Sequence, residues 1–306
     1  MRLENTRVVA VVLVAALIRL ANVSWADTLY VSDWSASSIE KVAADGTVTT
    51  LVSDEPGPQG LAFDRSGNLY VALARGGGID KLSASGQHLG FIEVVRSDFG
   101  PSLLAGMAFD ARGNLYVANY TNSSSSTAGE VDKIDANGHV TLFATGLNGP
   151  QGLAFDRNGN LFVACIDGHA LVELSPSGTI LASISDPGGP IGLTSDQSGS
   201  VYESTLSAIR KLPPTGRYEN FAILDSPWGL AFDSSGYLYT GSTLFANHTL
   251  RRIAPDGTIS TFATLAGDPA YIADPSVTLP APEPSSIALA AVGFAIVGWR
   301  RFWRRR

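Results

Sequence analysis

The stretch GLAFDRSGNLYV at residues 60–71 recurs along the chain and decides its fold. Two close copies read GMAFDARGNLYV at 106–117 and GLAFDRNGNLFV at 152–163. Weaker copies follow as GLTSDQSGSVYE at 192–203 and GLAFDSSGYLYT at 229–240. Their leading glycines are spaced by 46, 46, 40 and 37 residues. A repeat of about 40 residues is typical of propellers and solenoids, in which each repeat is one supersecondary unit.

Each copy consists of two short apolar runs joined by Asp-x-x-Gly, which predicts a β-hairpin. Aspartate accepts backbone hydrogen bonds at the first turn position, and glycine takes the positive φ at the fourth. A second turn follows in every unit, flanked by further β-rich runs, at 45–46, 85–86, 137–138, 177–178, 215–216 and 256–257. Four short antiparallel strands per repeat are the composition of a propeller blade.

The number of turns predicts six blades. There are six second turns but five copies of the first, because the first unit begins at Asp27 with Leu29–Val31 and lacks an inner strand. The apolar stretch Pro269–Asp274 remains after the last unit, and we expect it to supply the missing strand. The chain is thus predicted to be all-β over residues 27–279. The propeller would be ring-closed by a C-terminal strand, which removes the open sheet edges.

The N-terminal residues 1–26 predict a secretory signal peptide. A short basic region at 1–7 precedes an eleven-residue apolar run at 8–18, and small residues stand at Ser24 and Ala26 before the expected cleavage site. The alternative is an uncleaved anchor. Eleven helical residues would cross only about half of a ~30 Å hydrocarbon layer.

The C-terminal end has three parts in fixed order. Residues 280–286 form a proline-rich spacer that contains Pro282, Glu283 and Pro284. An uncharged apolar run and five terminal arginines follow, and we expect residues 287–306 to form a transmembrane helix with a basic cytoplasmic tail. A permanent single-span anchor is the alternative interpretation.

Composition excludes several classes of function. The single cysteine, Cys165, excludes an intramolecular disulfide and a multi-thiolate metal site. The net charge of −7 conceals a segregation, because residues 27–284 carry 13 basic and 27 acidic residues. A body this acidic repels phosphates, so nucleic acid is not an expected partner.

Two resemblances follow from these motifs. The Gly-Leu-Ala-Phe-Asp…Gly-Asn-Leu-Tyr-Val repeats resemble the NHL family of six-bladed propellers. The Pro-Glu-Pro motif, apolar run and arginine cluster resemble the PEP-CTERM sorting signal of Gram-negative bacteria. The second resemblance implies export through the inner membrane, transient anchoring by the C-terminal helix, and processing by an exosortase-type enzyme. The processed protein would reach the cell surface or the extracellular matrix.

Ligand-binding residues are expected on one face of the disc. The Asp-x-x-Gly and second turns share one face, here called the turn face. The loops between second and third strands and the entries between blades share the other, here called the loop face, where the sequence varies most. The candidates there are Trp34, Arg75, Asn119, Tyr120, Asp167, His169 and Trp228. The aromatic residues could stack on a ligand, and Asp167 and His169 could act as an acid–base pair, but rim packing or ordinary loop roles explain each of them as well.

The sequence favours a surface-sorted binding module for an extracellular glycan or protein, with no chemistry and no cofactor of its own. Phosphate-loop, nucleophile-elbow and His-Glu-x-x-His motifs do not occur in it. The alternative is a divalent-metal lactonase or related hydrolase of the gluconolactonase-like propeller type. That resemblance implies a Ca²⁺ or similar site, with Glu55, Asn119, Asn148 and Asp167 as candidate ligands. A purely structural matrix protein is a third interpretation.

Overall fold

The computed structural model describes residues 28–94, 103–120, 129–214, 216–242 and 248–276, which form a six-bladed β-propeller. Twenty-four strands make six sheets of four antiparallel strands, so the predicted fold class and blade number are confirmed. The predicted signal peptide at 1–26, the spacer at 280–286 and the tail at 287–306 lie outside the described residues. None of the described segments forms a helix of the length and hydrophobicity needed to cross a bilayer.

Blades are numbered along the chain, and their strands run from the axis outward. Blade 1 contains β24 (Pro269–Ala273), β1 (Leu29–Asp33), β2 (Ser38–Val42) and β3 (Val48–Val52). Blade 2 contains β4 (Pro58–Phe63), β5 (Leu69–Leu73), β6 (Gly78–Leu82) and β7 (His88–Glu93). Blade 3 contains β8 (Leu103–Phe109), β9 (Leu115–Tyr120), β10 (Gly129–Ile134) and β11 (Val140–Leu147). Blade 4 contains β12 (Pro150–Phe155), β13 (Leu161–Cys165), β14 (Ala170–Leu174) and β15 (Ile180–Ser185). Blade 5 contains β16 (Leu193–Ser195), β17 (Val201–Ser204), β18 (Ala208–Leu212) and β19 (Glu219–Ile223). Blade 6 contains β20 (Pro227–Phe232), β21 (Leu238–Ser242), β22 (Thr249–Ile253) and β23 (Ile259–Thr264).

The ring closes through blade 1, as the sequence predicted. Strand β24 pairs antiparallel with β1, with Tyr30 opposite Ala273 and Val31 opposite Ile272. The buried Ser32 hydroxyl reinforces this seam, because its Oγ accepts a hydrogen bond from the Tyr271 amide at 2.9 Å. Two distant parts of the chain therefore complete one sheet, and no inner strand is left unpaired at the closure.

The repeated aspartates are used by their own turns. Asp64 Oδ1 accepts hydrogen bonds from the amides of Ser66 and Asn68, each at 2.9 Å, and Gly67 takes φ +79°. The same carboxylate-to-amide pattern recurs at Asp110, Asp156, Asp196 and Asp233. Their chemistry is therefore structural.

Aromatic pairs join neighbouring blades and explain why the repeat contains both tyrosine and phenylalanine. The Tyr30 ring of blade 1 meets Phe63 of blade 2 edge-to-face, with ring centroids 4.9 Å apart. Equivalent pairs join blades 2 and 3, 3 and 4, and 5 and 6 through Tyr70–Phe109, Tyr116–Phe155 and Tyr202–Phe232. Such a pair adds about 0.5–1.5 kcal/mol beyond its buried area.

The inner strands approach each other most closely at a ring of glycines. A Cβ on Gly106 would lie 2.5 Å from the Gln151 carbonyl oxygen of the next blade, and one on Gly152 would lie 2.5 Å from the Ile191 carbonyl. The equivalent residues Gly60, Gly192 and Gly229 meet the next inner strand in the same way. Because these neighbours are backbone atoms, they cannot move aside as a side chain would.

Substituting Gly106 by alanine is expected to destabilise the propeller by roughly 1–3 kcal/mol, because the added methyl group overlaps the backbone of blade 4. Urea unfolding of the full-length chain in detergent measures the change. Gly90→Ala in the outer strand β7 is the matched control, since its Cβ meets nothing within 4 Å. That substitution should leave stability unchanged or raise it by up to about 1 kcal/mol. Equal effects of the two substitutions would contradict the close axial packing.

Candidate functional site

The central channel is divided by one side chain. Tyr271 lies on β24 of blade 1, where the other inner strands have glycine, and it is 7% exposed. Its hydroxyl donates to Gln151 Oε1 of blade 4, on the opposite side of the ring, at 3.4 Å. The tyrosine thus crosses the axis, and its two faces separate the loop-face mouth of the channel from the turn-face half.

The turn-face half holds a cavity of about 380 Å³ lined by all six inner strands. Its walls include Phe63, Phe109, Phe155 and Phe232, and its mouth carries the aspartates of the structural turns. Those carboxylates are engaged by backbone amides. The polar residues Arg65, Arg112, Thr194, Ser195 and Asp274 also line this cavity.

Trp34 and Arg75 form a pair on the loop face between blades 1 and 2. The Arg75 guanidinium carbon lies 4.6 Å from the centroid of the half-buried Trp34 ring, which is a cation–π contact. Gly57 lies beneath both, since a Cβ there would come within 3.0 Å of the indole and 3.1 Å of Cγ of Arg75. The structure thus brings two predicted residues together, with the arginine exposed to solvent.

Trp228 lies on the inner strand β20 and packs, like Trp34, against the buried cluster that contains Tyr271. Its indole Nε1 is buried and has no hydrogen-bond partner in the part of the chain that the structure describes. The same is true of Gln59 Oε1, at the equivalent position of the inner strand of blade 2. The indole N–H is a donor and the amide oxygen is an acceptor. A water or a ligand hydroxyl that reached them would supply the missing hydrogen bonds.

Tyr120 and Asp167 meet on the loop face between blades 3 and 4. The tyrosine hydroxyl donates to Asp167 Oδ2 at 2.8 Å. This hydrogen bond, together with the carboxylate charge and partial burial, raises the pKa of the Tyr120 hydroxyl. Asn148 lies beside this pair, because its carbonyl oxygen accepts a hydrogen bond from the amide of Gly168 at 3.0 Å. The pair exposes a phenol and a carboxylate at the rim.

Asn119 and His169 do not join these pairs. Asn119 is 1% exposed, and its side-chain amide donates to Asp132 Oδ2 at 3.2 Å inside blade 3. His169 adopts φ +47°, and its carbonyl accepts a hydrogen bond from the Asp186 amide at 2.7 Å. The His169 side chain is exposed, but no contact between it and Asp167 is found in the described residues. An acid–base role for the two stays a prediction.

The left-handed residues on the loop face have a structural cause. Three residues that stand directly before the third strand of their blade and have a positive φ are Ser37, His169 and His248. Their carbonyls accept hydrogen bonds from the chain leaving the same blade, at 2.8, 2.7 and 2.7 Å. This conformation therefore ties each loop to the connection that enters the next blade.

Glu55 lies apart from the other residues of the proposed lactonase set. Its carboxylate is within 4.8 Å of ligand atoms of Asp80 and His88, at the side of blade 2. Burial, and then the charge of Asp80, raises the pKa of Glu55. No contact in the described residues joins Glu55 to Asn119, Asn148 or Asp167. Cys165 is also unsuited to catalysis, because burial raises the pKa of its thiol to about 12.

Sequence reasoning missed Gln59, Gln151 and Tyr271 as channel residues. Aligning the repeats could have found them. Gln59 and Gln151 both follow the proline of a Pro-Gln-Gly segment, and Tyr271 stands where the other repeats have glycine. What the pattern could not supply was the distance across the ring.

Residues 280–306 match the family model of the PEP-CTERM protein-sorting motif, so the chain carries this sorting motif. No curated protein matches the chain. Among solved structures, a Bacteroides caccae protein of unknown function is 15% identical, with a TM-score of 0.65, and the alignment covers 81% of this chain and 98% of that one.

Two enzymes are also similar in structure. A gluconolactonase from Xanthomonas campestris is 17% identical, with a TM-score of 0.58 and coverage of 70% of this chain and 78% of that one. A virginiamycin B lyase from Staphylococcus aureus is 14% identical, with a TM-score of 0.59 and coverage of 83% and 90%. Identities this low establish the propeller fold and leave binding or catalysis undecided.

The Tyr120 hydroxyl is expected to titrate above the ordinary tyrosine pKa of about 10. A phenol whose pKa is raised in the folded state contributes stability that is present below the unfolded pKa and is lost as the pH rises through the folded one. Carbon-13 NMR of labelled tyrosine measures this titration. Asp167→Asn should lower the pKa, whereas His169→Ala should not change it. An ordinary Tyr120 pKa in the unsubstituted chain would show that the 2.8 Å bond does not persist in solution.

Proposed function

We propose that the protein is an exported binding module that holds an extracellular glycan on the loop face of its propeller. The observation that carries this proposal is a group of aromatic and polar side chains at the loop-face mouth of the channel that Tyr271 crosses. Trp34 and Trp228 offer indole surface, Arg75 offers an exposed cation, and Gln59 offers an unpaired acceptor.

The chemistry of this surface suits a carbohydrate. Sugar rings combine an apolar face, which stacks on aromatic rings, with hydroxyl groups that both donate and accept hydrogen bonds. Trp228 Nε1 and Gln59 Oε1 are buried, so they would donate to and accept from a sugar hydroxyl once neighbouring side chains move aside. Arg75 would select glycans that carry carboxylate groups, because guanidinium pairs with carboxylate in a planar, bidentate way.

The scaffold favours binding because the described loop residues Ser37, His169 and His248 are already positioned. The hydrogen bonds between left-handed loop residues and blade entries fix the loop backbone before any ligand arrives. Preorganised loops lose less conformational entropy on binding. Tyr271 closes the channel, so a ligand would occupy the rim and mouth and would not thread the disc.

The sorting motif supports the proposed location. We propose that the chain crosses the inner membrane of a Gram-negative cell behind its N-terminal signal and stalls at its C-terminal helix. An exosortase-type enzyme would then process it near Pro282, Glu283 and Pro284. The propeller would reach the cell surface or matrix, where glycans are abundant. The acidic body leaves nucleic acid an unfavourable partner.

Two other functions remain as outcomes of the test. A protein partner could use the same rim, and a lactonase would need a divalent cation bound by Glu55, Asn119, Asn148 and Asp167. Asn148 lies beside Asp167, but Glu55 neighbours Asp80 and His88, and Asn119 is engaged inside blade 3, which weighs against the lactonase.

The test compares two cation–π pairs in the full-length chain purified in detergent. Binding is measured to a polymer of uronic acids and to a neutral glucan. Trp34→Ala is expected to weaken binding to the better of the two probes by roughly tenfold or more, since it removes a central aromatic contact. Arg75→Gln should weaken binding of the uronic acid polymer selectively.

The control pair is Tyr237 and Arg252, whose ring centroid and guanidinium carbon are 4.8 Å apart beside a turn-face turn. Tyr237→Ala and Arg252→Gln should not alter glycan binding. Equal losses from both pairs, or no binding of either polymer by the unsubstituted chain, would overturn the proposal. Cation-dependent hydrolysis of a lactone would favour the enzymatic alternative instead.

A further inference from the structure

A cluster of three metal-ligating side chains lies at the side of blade 2, away from the channel and the loop-face pairs. Glu55 stands at the entry to the blade, Asp80 on the third strand β6, and His88 at the start of the outer strand β7. One ligand atom from each lies within 4.8 Å of the other two. His88 Nδ1 is 2.6 Å from Asp80 Oδ2.

Within the described residues, the charged neighbours of Glu55 are the acid Asp80 and the imidazole of His88. It is 3% exposed, and in the described part of the chain its carboxylate neither accepts a hydrogen bond nor forms an ion pair. The nearest carboxylate is that of Asp80, which is itself only 6% exposed. Two buried carboxylates repel each other and lose hydration, and the largely exposed imidazole of His88 supplies at most one compensating charge, so a bound cation would stabilise this arrangement.

Blade 5 places an arginine among the equivalent positions, where it forms ion pairs with the buried carboxylates of Asp186 and Glu203. The segments Glu-Pro-Gly-Pro at 55–58 and Asp-Pro-Gly-Gly-Pro at 186–190 enter their blades equivalently. Asp186 corresponds to Glu55, and its carboxylate forms an ion pair with Arg210, which occupies the place of Asp80. Tyr218 occupies the place of His88, with its ring 4.8 Å from the Arg210 guanidinium.

Other blades also neutralise this third-strand position from within. Glu40 of blade 1 accepts hydrogen bonds from Ser38 and Thr50 at 2.8 and 3.2 Å. Asp132 of blade 3 accepts one from Asn119. Among the described residues, blade 2 brings together an acid at its entry, an acid on its third strand and an imidazole on its outer strand.

We propose that Glu55, Asp80 and His88 bind a divalent first-row transition-metal cation such as Zn²⁺. Imidazole nitrogen together with carboxylate oxygens is a donor set that suits Zn²⁺ and its neighbours, whereas Ca²⁺ prefers oxygen ligands alone. Ligands about 2.0–2.1 Å from a tetrahedral ion stand roughly 3.4 Å apart, so side-chain shifts of about 1 Å assemble the site. Water would complete the coordination.

The position of the site indicates a structural ion. The His88 side chain is 61% exposed, so a cation can enter from solvent while the two carboxylates remain buried. Bound metal would connect the blade entry to the third and outer strands. It would hold blade 2 to the connection from blade 1, and this role does not depend on the proposed glycan binding.

The experiment uses the untagged full-length chain in detergent, stripped with a chelator and then titrated with Zn²⁺, Mn²⁺ or Ca²⁺. Equilibrium dialysis should find about one tightly bound zinc per chain. At a free zinc concentration of about 100 times Kd, the melting temperature should rise by roughly 5–10 °C. His88→Ala should abolish this rise, which is measured against the metal-free melting temperature of the same variant, because the substitution also removes the 2.6 Å partner of the buried Asp80 carboxylate.

The matched control is His139→Ala. His139 is also an exposed histidine with its Nδ1 3.3 Å from a carboxylate, that of Asp135, but no third ligand accompanies it. It should keep the full response to zinc. Glu55→Gln should raise the metal-free melting temperature, since it removes one of two neighbouring buried carboxylate charges, and should abolish the response to zinc.

Several results would overturn the proposal. They are the absence of zinc binding, a response to Ca²⁺ alone, an equal response in His88→Ala and His139→Ala, and a zinc response that survives Glu55→Gln.

Discussion

Close approach of six backbones at one axis is the constraint on which the rest of the structure depends. At the glycine ring, an added Cβ would lie within 2.2–2.5 Å of a carbonyl oxygen of the next inner strand. Only glycine fits there, so the repeat keeps its leading glycine even where the rest of the motif has diverged, as in blade 5. The tight axis fixes the spacing of the blades. Edge-to-face Tyr–Phe pairs then form further from the axis, at four of the six interfaces between blades.

The exception to this ring shapes the function. Blade 1 takes its inner strand from the C-terminal end of the propeller, and that strand carries Tyr271 in place of glycine. The residue both seals the ring, through its backbone bonds to Ser32, and fills the channel, through its reach to Gln151. One residue therefore contributes to both, with its backbone at the closure of the fold and its side chain across the channel. Ligand chemistry is left to the rim.

The outer parts of the blades are where the repeats have become different. One scaffold position holds Arg210 in blade 5 and Asp80 in blade 2, facing Asp186 and Glu55 respectively. In the first case the protein supplies a permanently charged guanidinium, and in the second it supplies only the exposed imidazole of His88. An unpaired charge is more unfavourable in free energy when it is buried. An acid in place of a base at this one position therefore gives a site that a cation from solvent would stabilise.

The sequence by itself determined the fold class, the six blades and the closing strand. Turn residues and alternating apolar runs are local signals, and their repetition multiplied them. It also determined the sorting motif, which is a linear signal. Only the tertiary structure decided which side chains meet: that Arg75 covers Trp34, that Asp167 holds Tyr120, and that Glu55 faces Asp80 and His88 rather than Asn148. These contacts join different strands or blades, and their distances depend on the ring's curvature and on loop conformations, which no local pattern encodes.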